Sequence, residues 1–261
     1  MKLKLCCWML WLLTPLVSAN ALCPAPLRIG YDNWPPYHYY LESAAGKKEL
    51  QGFAIEALNA MLKRLDCKAS YVEMPWKRVL HGLELGVVDI AMEAYFNEDR
   101  ARYAWFSDAY NPGRSVLWIR KSDAYSDTDL ASWLANGHTL GVTKDYYYGA
   151  EISELLRRYA AQVSVVNDEQ NYGKLVLGRI DGFLGDVLAT PWGLKKEGLS
   201  DLIVPHAMAV HAMAVYEAPT FFMFSKKRLS PEFVREFNRE LAKFKATNEY
   251  DIIWRRYAPA G

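Results

Sequence analysis

Eight residues of this chain have the side-chain chemistry of small-molecule recognition, and they cluster where strands end. Trp34 and Tyr37 lie in "GYDNWPPYHYY" (30–40), Trp76 in "MPWKRV", and Glu93, Tyr95 and Arg100 in "DIAMEAYFNEDR". Tyr146 lies in "TKDYYY" and Asp186 in "DGFLGD". Indole and phenol faces pack on apolar or cationic groups. A guanidinium binds a carboxylate through two parallel hydrogen bonds, and a carboxylate suits an ammonium. Such a set can hold a small charged molecule. Machinery for turning one over is not evident, because G-x-S-x-G, H-E-x-x-H, a Walker-type loop and C-x-x-C are all absent from the sequence. His38, His81 and His138 read as surface or cleft residues, so no catalytic residue, metal or cofactor is expected.

These residues need elements to position them, and the chain supplies a repeating set. "LRIGY" reads as a strand, and "GFAIEALNAMLKRL" as a helix with Phe53, Ile55, Leu58, Met61, Leu62 and Leu65 at helical spacing. "KASYVEM" is a second strand. "PWKRVLHGLELG" is a helix with Pro75 at its start and Gly86 at its end, and "VVDIAMEAYF" is a third strand. A second cycle of the same kind runs from "VLWIRK" to "IDGFLG", and an amphipathic helix, "PEFVREFNRELAKFKAT", lies near the end. Alternation of this kind predicts parallel strands with helical crossovers. Ligands of open parallel sheets sit outside the carboxyl ends of the strands, beside helix N-termini. Trp34, Trp76, Arg100, Tyr146 and Asp186 all fall there. The prolines after Trp34 keep that segment extended.

Composition agrees with a packed globular protein: of 261 residues, 51% are hydrophobic and 23% charged, with 9 Trp and 17 Tyr. The start, "MKLKLCCWMLWLLTPLVSANA", has the basic, apolar and small-residue parts of a secretory signal, with cleavage expected near Ala19 or Ala21. Its removal takes away Lys2 and Lys4 and leaves 29 basic residues against 30 acidic. That balance speaks against nucleic-acid binding. Cys6 and Cys7 leave with the signal, and Cys23 and Cys67 remain as an even pair in an oxidising compartment. "HAMAV" at 206–210 recurs at 211–215. A local tandem duplication is the expected origin. A four-ligand His–Met site is disfavoured, because strand alternation puts His206 and Met208 on one face and His211 and Met213 on the other.

Taken together, "GYDNWPPYHY", "QGFAIEALNAMLKRL", "PWKRVLHGLELGVVDIAM", "EDRARYAWFSDAY" and "GRIDGFLGD" resemble the bacterial extracellular solute-binding proteins of family 3, the polar amino-acid type. The resemblance covers essentially all of the chain after the signal. It implies an α/β fold of the two-lobed periplasmic binding protein kind (type 2), each lobe a mostly parallel sheet flanked by helices, joined by two hinge crossings. Residues 22–112 and 216–261 would form lobe one, 113–205 lobe two, and 206–215 would fall in the return crossing. By the same resemblance Arg100 holds a ligand carboxylate, Asp186 an ammonium, and Trp34 and Trp76 sandwich the ligand. Glu93, Tyr95 and Asp145-Tyr146-Tyr147 stand where amino-acid binders carry small hydroxyl donors, which speaks against a free α-amino acid and favours a cationic, sugar-like or aromatic ligand. The implied role is that of a monomeric periplasmic protein serving the membrane permease of an ABC importer. The alternatives are a cyclohexadienyl dehydratase-like enzyme and a ligand-sensing receptor subunit. Cys23 and Cys67 precede strands expected to be parallel neighbours, so a disulfide between them is predicted.

Overall fold

The first strand, β1 (Leu27–Tyr31), is buried on both faces apart from Arg28. It occupies the interior of a sheet, as an almost continuous apolar run should. The structure is a computed structural model describing residues 22–23, 26–42, 46–206, 216–217 and 219–257; the predicted signal and 207–215 of the tandem repeat lie outside the described residues. After β1 comes a hairpin that the sequence did not signal, β2 (Tyr39–Glu42) with β3 (Lys48–Gln51). Helix α1 (Phe53–Arg64) follows and turns Phe53, Leu58, Met61 and Leu62 inward. It starts at Gly52, whose φ is 130° and where a Cβ would lie 2.2 Å from the Tyr37 carbonyl oxygen, so no other residue fits there. β4 (Ala69–Glu73) and β5 (Ile90–Tyr95) pair parallel with β1 on either side. Between them runs α2 (Trp76–Leu85), capped by Gly86 in the left-handed region. The short α3 (Glu98–Ala101) and β6 (Ala104–Phe106) complete this part of the chain.

The second sheet is built from β7 (Arg114–Arg120), β8 (Leu140–Thr143), β9 (Val163–Val166), β10 (Gly182–Asp186), β11 (Ile203–Pro205) and β12 (Tyr216–Glu217). Around it lie α4 (Leu130–Ala135), α5 (Gly149–Arg158), α6 (Asp168–Val176) and α7 (Ala189–Lys196). The chain then returns as β13 (Thr220–Ser225), which enters the first sheet, and ends in α8 (Pro231–Lys245) and α9 (Asn248–Tyr257). Strand order is β4-β1-β5-β13-β6 in one sheet and β11-β7-β10-β8-β9 in the other, with β12 on β7.

The parallel core expected from the alternation is present in both sheets. Each sheet also carries antiparallel pairings that involve strands next to the crossings. These strands enter from the other lobe and so have no helical crossover to reverse their direction. The fold is α/β with two sheet-centred lobes. On α8, Phe233, Phe237, Leu241 and Phe244 bury one face. Phe233 and Phe237 meet Phe224, and Phe237 also meets Phe222, both on β13, so α8 packs on the first sheet.

Cys23 and Cys67 form the predicted disulfide, with Cα atoms 5.8 Å apart and 44 residues of separation. Closing a loop of that size removes up to about 4 kcal/mol of unfolded-chain entropy. The C23S/C67S double variant is therefore expected to unfold at clearly lower urea concentration while keeping its native spectrum. Unfolding curves that superimpose would remove the disulfide from the stability of this fold.

Candidate functional site

A cleft with about 400 Å³ of space, its open mouth included, lies between the two lobes. Lobe one contributes Asp32, Trp34, His38, Trp76, Met92, Glu93, Tyr95 and Arg100, and lobe two contributes Asp145, Tyr146 and Tyr147. Local structure explains the aim of these side chains. The prolines do not keep this segment extended as expected: Trp34 and His38 face each other across a tight turn, closed by Trp34 N–H to His38 O at 2.8 Å and His38 N–H to Trp34 O at 3.1 Å. The turn is pinned to the start of α1 by Phe53 N–H to Pro36 O and Ala54 N–H to Tyr37 O. His38 is buried and donates from Nδ1 to the Asp32 carbonyl at 2.6 Å. Burial pushes its pKa down, so the ring is neutral at physiological pH.

Arg100 sits in α3, whose start is capped by the Asn97 side chain accepting from Asp99 N–H and Arg100 N–H. Its guanidinium lies 5.7 Å from the Trp76 ring centroid. Among the described residues it donates from Nη1 to the Tyr95 carbonyl at 3.1 Å, which leaves Nη2 and Nε for a ligand. Burial lowers its pKa from the ordinary value without discharging it. The site therefore offers a fixed planar cation on an aromatic face, the geometry that takes a carboxylate in two hydrogen bonds.

Glu93 lies in the left-handed region with φ 52°, an uncommon conformation for a non-glycine residue. Its carboxylate is held from both crossings between the lobes. Oε1 accepts from the Tyr110 hydroxyl at 2.5 Å, and Oε2 accepts from Asn111 Nδ2 at 2.8 Å and Thr220 Oγ1 at 2.7 Å. Tyr110 and Asn111 lead out of lobe one and Thr220 leads back in. Burial pushes the Glu93 carboxyl up to about 7, against the pull of these donors. Glu93 thus forms part of the cleft wall and also ties the two crossings together.

The eight sequence-predicted residues divide into two groups. Trp34, Trp76, Glu93, Tyr95, Arg100 and Tyr146 line the one cleft. Tyr37 and Asp186 are not in its lining. They are bonded to each other alongside, with the Tyr37 hydroxyl 3.1 Å from each Asp186 carboxylate oxygen. Burial pushes the Asp186 carboxyl up to about 6, opposed by the N–H groups of Ala189 and Leu188. Asp32, His38, Met92, Asp145 and Tyr147 line the cleft but were not among the eight predicted site residues. Asp32 had a signal, since it is the first polar residue after β1. Tyr147 sits beside Tyr146 in a loop whose conformation, with Asp145 at φ 64°, no sequence pattern announces. His206 is buried, and its N–H meets the Leu117 carbonyl at 2.8 Å. The other three candidates for a His–Met site are outside the described residues.

With this geometry in hand, comparison with known proteins places the chain. The profile of the bacterial extracellular solute-binding proteins, family 3, matches residues 27–260. The chain belongs to this family. Among family relatives, the arginine-binding periplasmic protein of Mannheimia haemolytica is 28% identical over 170 residues, 64% of this chain and 65% of that protein. The histidine-binding periplasmic protein of Salmonella typhimurium is 25% identical over 244 residues, 92% of this chain and 90% of that protein. A solved ancestral arginine-binding protein bound to arginine superposes with a TM-score of 0.71 at 21% identity, covering 90% of this chain and 98% of the other. Family membership makes this chain a solute-binding protein.

Proposed function

We propose that the protein captures a basic amino acid between its lobes in the periplasm and delivers it, chemically unchanged, to the membrane permease of an ABC importer. One observation carries the reading of the ligand. Arg100 shares the cleft with two carboxylates not engaged by the crossings, Asp32 and Asp145, on walls of indole and phenol. A ligand with one carboxylate and more than one cationic group satisfies that set, with its carboxylate on the guanidinium and its cations over the aromatic faces. The names of the two relatives, which bind arginine and histidine, support the same class. Capture without turnover is favoured because both oxygens of Glu93, the acid best placed for proton transfer, are engaged by Tyr110, Asn111 and Thr220. In this reading residues 113–205 move as one body against 22–112 and 216–261, and the protein acts as a monomer.

Titration calorimetry on protein stripped of ligand by unfolding and refolding tests the proposal. L-arginine, L-ornithine and L-histidine are expected to bind, and L-glutamate and glucose are not. Binding of the sugar or the acidic amino acid with none of the basic ones would overturn it.

A further inference from the structure

The cleft does not end at Trp34 and Tyr146. Adjoining it at this edge-on pair, whose ring centroids are 5.8 Å apart, is a smaller chamber with about 230 Å³ of space, its opening included. Trp34, Tyr95 and Tyr146 line both spaces, and Ser115, Tyr148, Asp168 and Asp186 add polar groups in the chamber. Among the described residues that line it there is no Lys, Arg or His. Asp168 follows β9 at the start of α6, and Asp186 ends β10. Strand β8 pairs parallel with both, so two carboxylates reach one edge of the second sheet. Their bonding leaves acceptor sites over, since an ionised carboxylate offers about four. Asp168 Oδ1 accepts from the Thr143 hydroxyl, and among the described residues its Oδ2 has the Tyr146 hydroxyl at 3.3 Å. Asp186 Oδ1 accepts the N–H groups of Leu188 and Ala189, each at 2.8 Å, and Oδ2 shares with it the Tyr37 hydroxyl at 3.1 Å. Lys196 borders Asp168 on its outer side but lies 3.9 Å from Glu197 instead. Burial pushes both carboxyls up, and the charge of Asp168 adds to the rise at Asp186.

An independent observation concerns Trp34, whose indole Nε1 is buried with no hydrogen-bond partner among the described residues. A buried donor is rarely left unpaired. A zwitterion brings both parts, an acceptor for this N–H and a cation for the two carboxylates. We propose that Asp168 is a specificity-determining residue, which shares the ligand's α-ammonium with Asp186 in this chamber and so makes the protein select an amine over a hydroxyl at that position. The inference deepens the basic amino-acid reading above and rests on it. Asp186, with one oxygen engaged by two amides, has Oδ2 for one N–H of an ammonium. Asp168 supplies an acceptor for a second N–H and a further negative charge, which makes both bonds charge-assisted. A hydroxyl donates once and carries no charge, so it gains little from the second acid.

Asp168→Asn tests this, because it removes the charge and keeps an oxygen for the Thr143 hydroxyl. The probes are L-arginine and L-argininic acid, which carries a hydroxyl in place of the α-amine, titrated by calorimetry into protein stripped of ligand. D168N is expected to weaken arginine binding by roughly tenfold, the worth of a hydrogen bond to a charged group, and to leave argininic acid unchanged. An unaltered ratio of the two affinities overturns the proposal, whether neither falls or both fall alike, the latter being the mark of a merely structural residue. Ethylammonium chloride is a probe that does not presuppose an amino acid, and choline chloride is its control, a cation with no N–H to donate. Both are followed by the indole N–H resonance of Trp34, assigned with W34F. If the parent fails to bind arginine, the basic amino-acid reading falls and these two probes decide Asp168. A D168N response roughly tenfold weaker than the parent's to ethylammonium, and equal to it for choline, sustains the proposal. Matching responses to ethylammonium overturn it.

Discussion

Arg100→Ala is expected to weaken L-arginine binding by about 30-fold or more, in line with the 2–5 kcal/mol lost when one partner of a buried charge pair is truncated. Among the described residues this cation satisfies few protein groups. Its guanidinium rests on Trp76 and gives one hydrogen bond to the Tyr95 carbonyl. Its remaining donors face a cleft where desolvation strengthens a matched pair and penalises a missing one. Folding should change little, because a single backbone carbonyl loses its partner. The sharper readout is the preference for arginine over agmatine, which is arginine without its carboxylate. The parent should favour arginine strongly, and R100A should bind the two alike. R100K keeps the charge without the planar fork and should fall between. If R100A keeps the full preference, the carboxylate is held elsewhere in the cleft.

Glu93→Ala is expected to be the most destabilising single change in the cleft, at about 3–5 kcal/mol, because it leaves hydrogen-bond donors in a buried site without their partner. Tyr110, Asn111 and Thr220 are 1%, 2% and 1% exposed, so water cannot easily replace the lost carboxylate. Glu93→Gln keeps an acceptor and the shape and should cost much less. A pH series separates charge from shape. The Glu93 carboxyl moves from an ordinary 4.5 to about 7 in the folded protein. Between these values the native state holds a proton that the unfolded chain has released, so this group's contribution to stability falls as pH rises through that window and levels off above it. E93Q removes that part of the slope, and urea midpoints measured from pH 4.5 to 8 would show it. Parallel profiles for E93Q and the parent would mean that Glu93 does not titrate there.

How much of this was readable from the sequence depends on how local each feature is. Trp34, Trp76 and Arg100 were legible because each follows a strand that period and flanking residues define, and strand ends are where an open sheet presents its ligands. The Cys23–Cys67 pair was legible for the same reason, since both precede parallel neighbours. The β2–β3 hairpin was not, because "YYLE" and "KELQ" lack an apolar face of their own. The pairing of β13 between β5 and β6 depends on where the chain re-enters the lobe, which no local pattern states. Tyr37 and Asp186 are 149 residues apart, and only the approach of the lobes makes one the partner of the other. Glu93 could be read as a cleft acid. That it faces both crossings follows from a left-handed backbone at that residue, which Glu does not advertise.

The two crossings are themselves bonded side by side. Tyr110 N–H meets the Thr220 carbonyl at 3.2 Å, Thr220 N–H meets the Asn111 carbonyl at 2.8 Å, and Ser115 and Arg114 pair with Tyr216 and Glu217. Two strands joined in this way make a ribbon, which bends readily across its flat face and resists bending in its own plane. The lobes should therefore swing about one axis, as covers turn on a spine, with sliding and twisting suppressed. Motion of that kind has a single coordinate, so distances measured between different pairs of points across the lobes should change together.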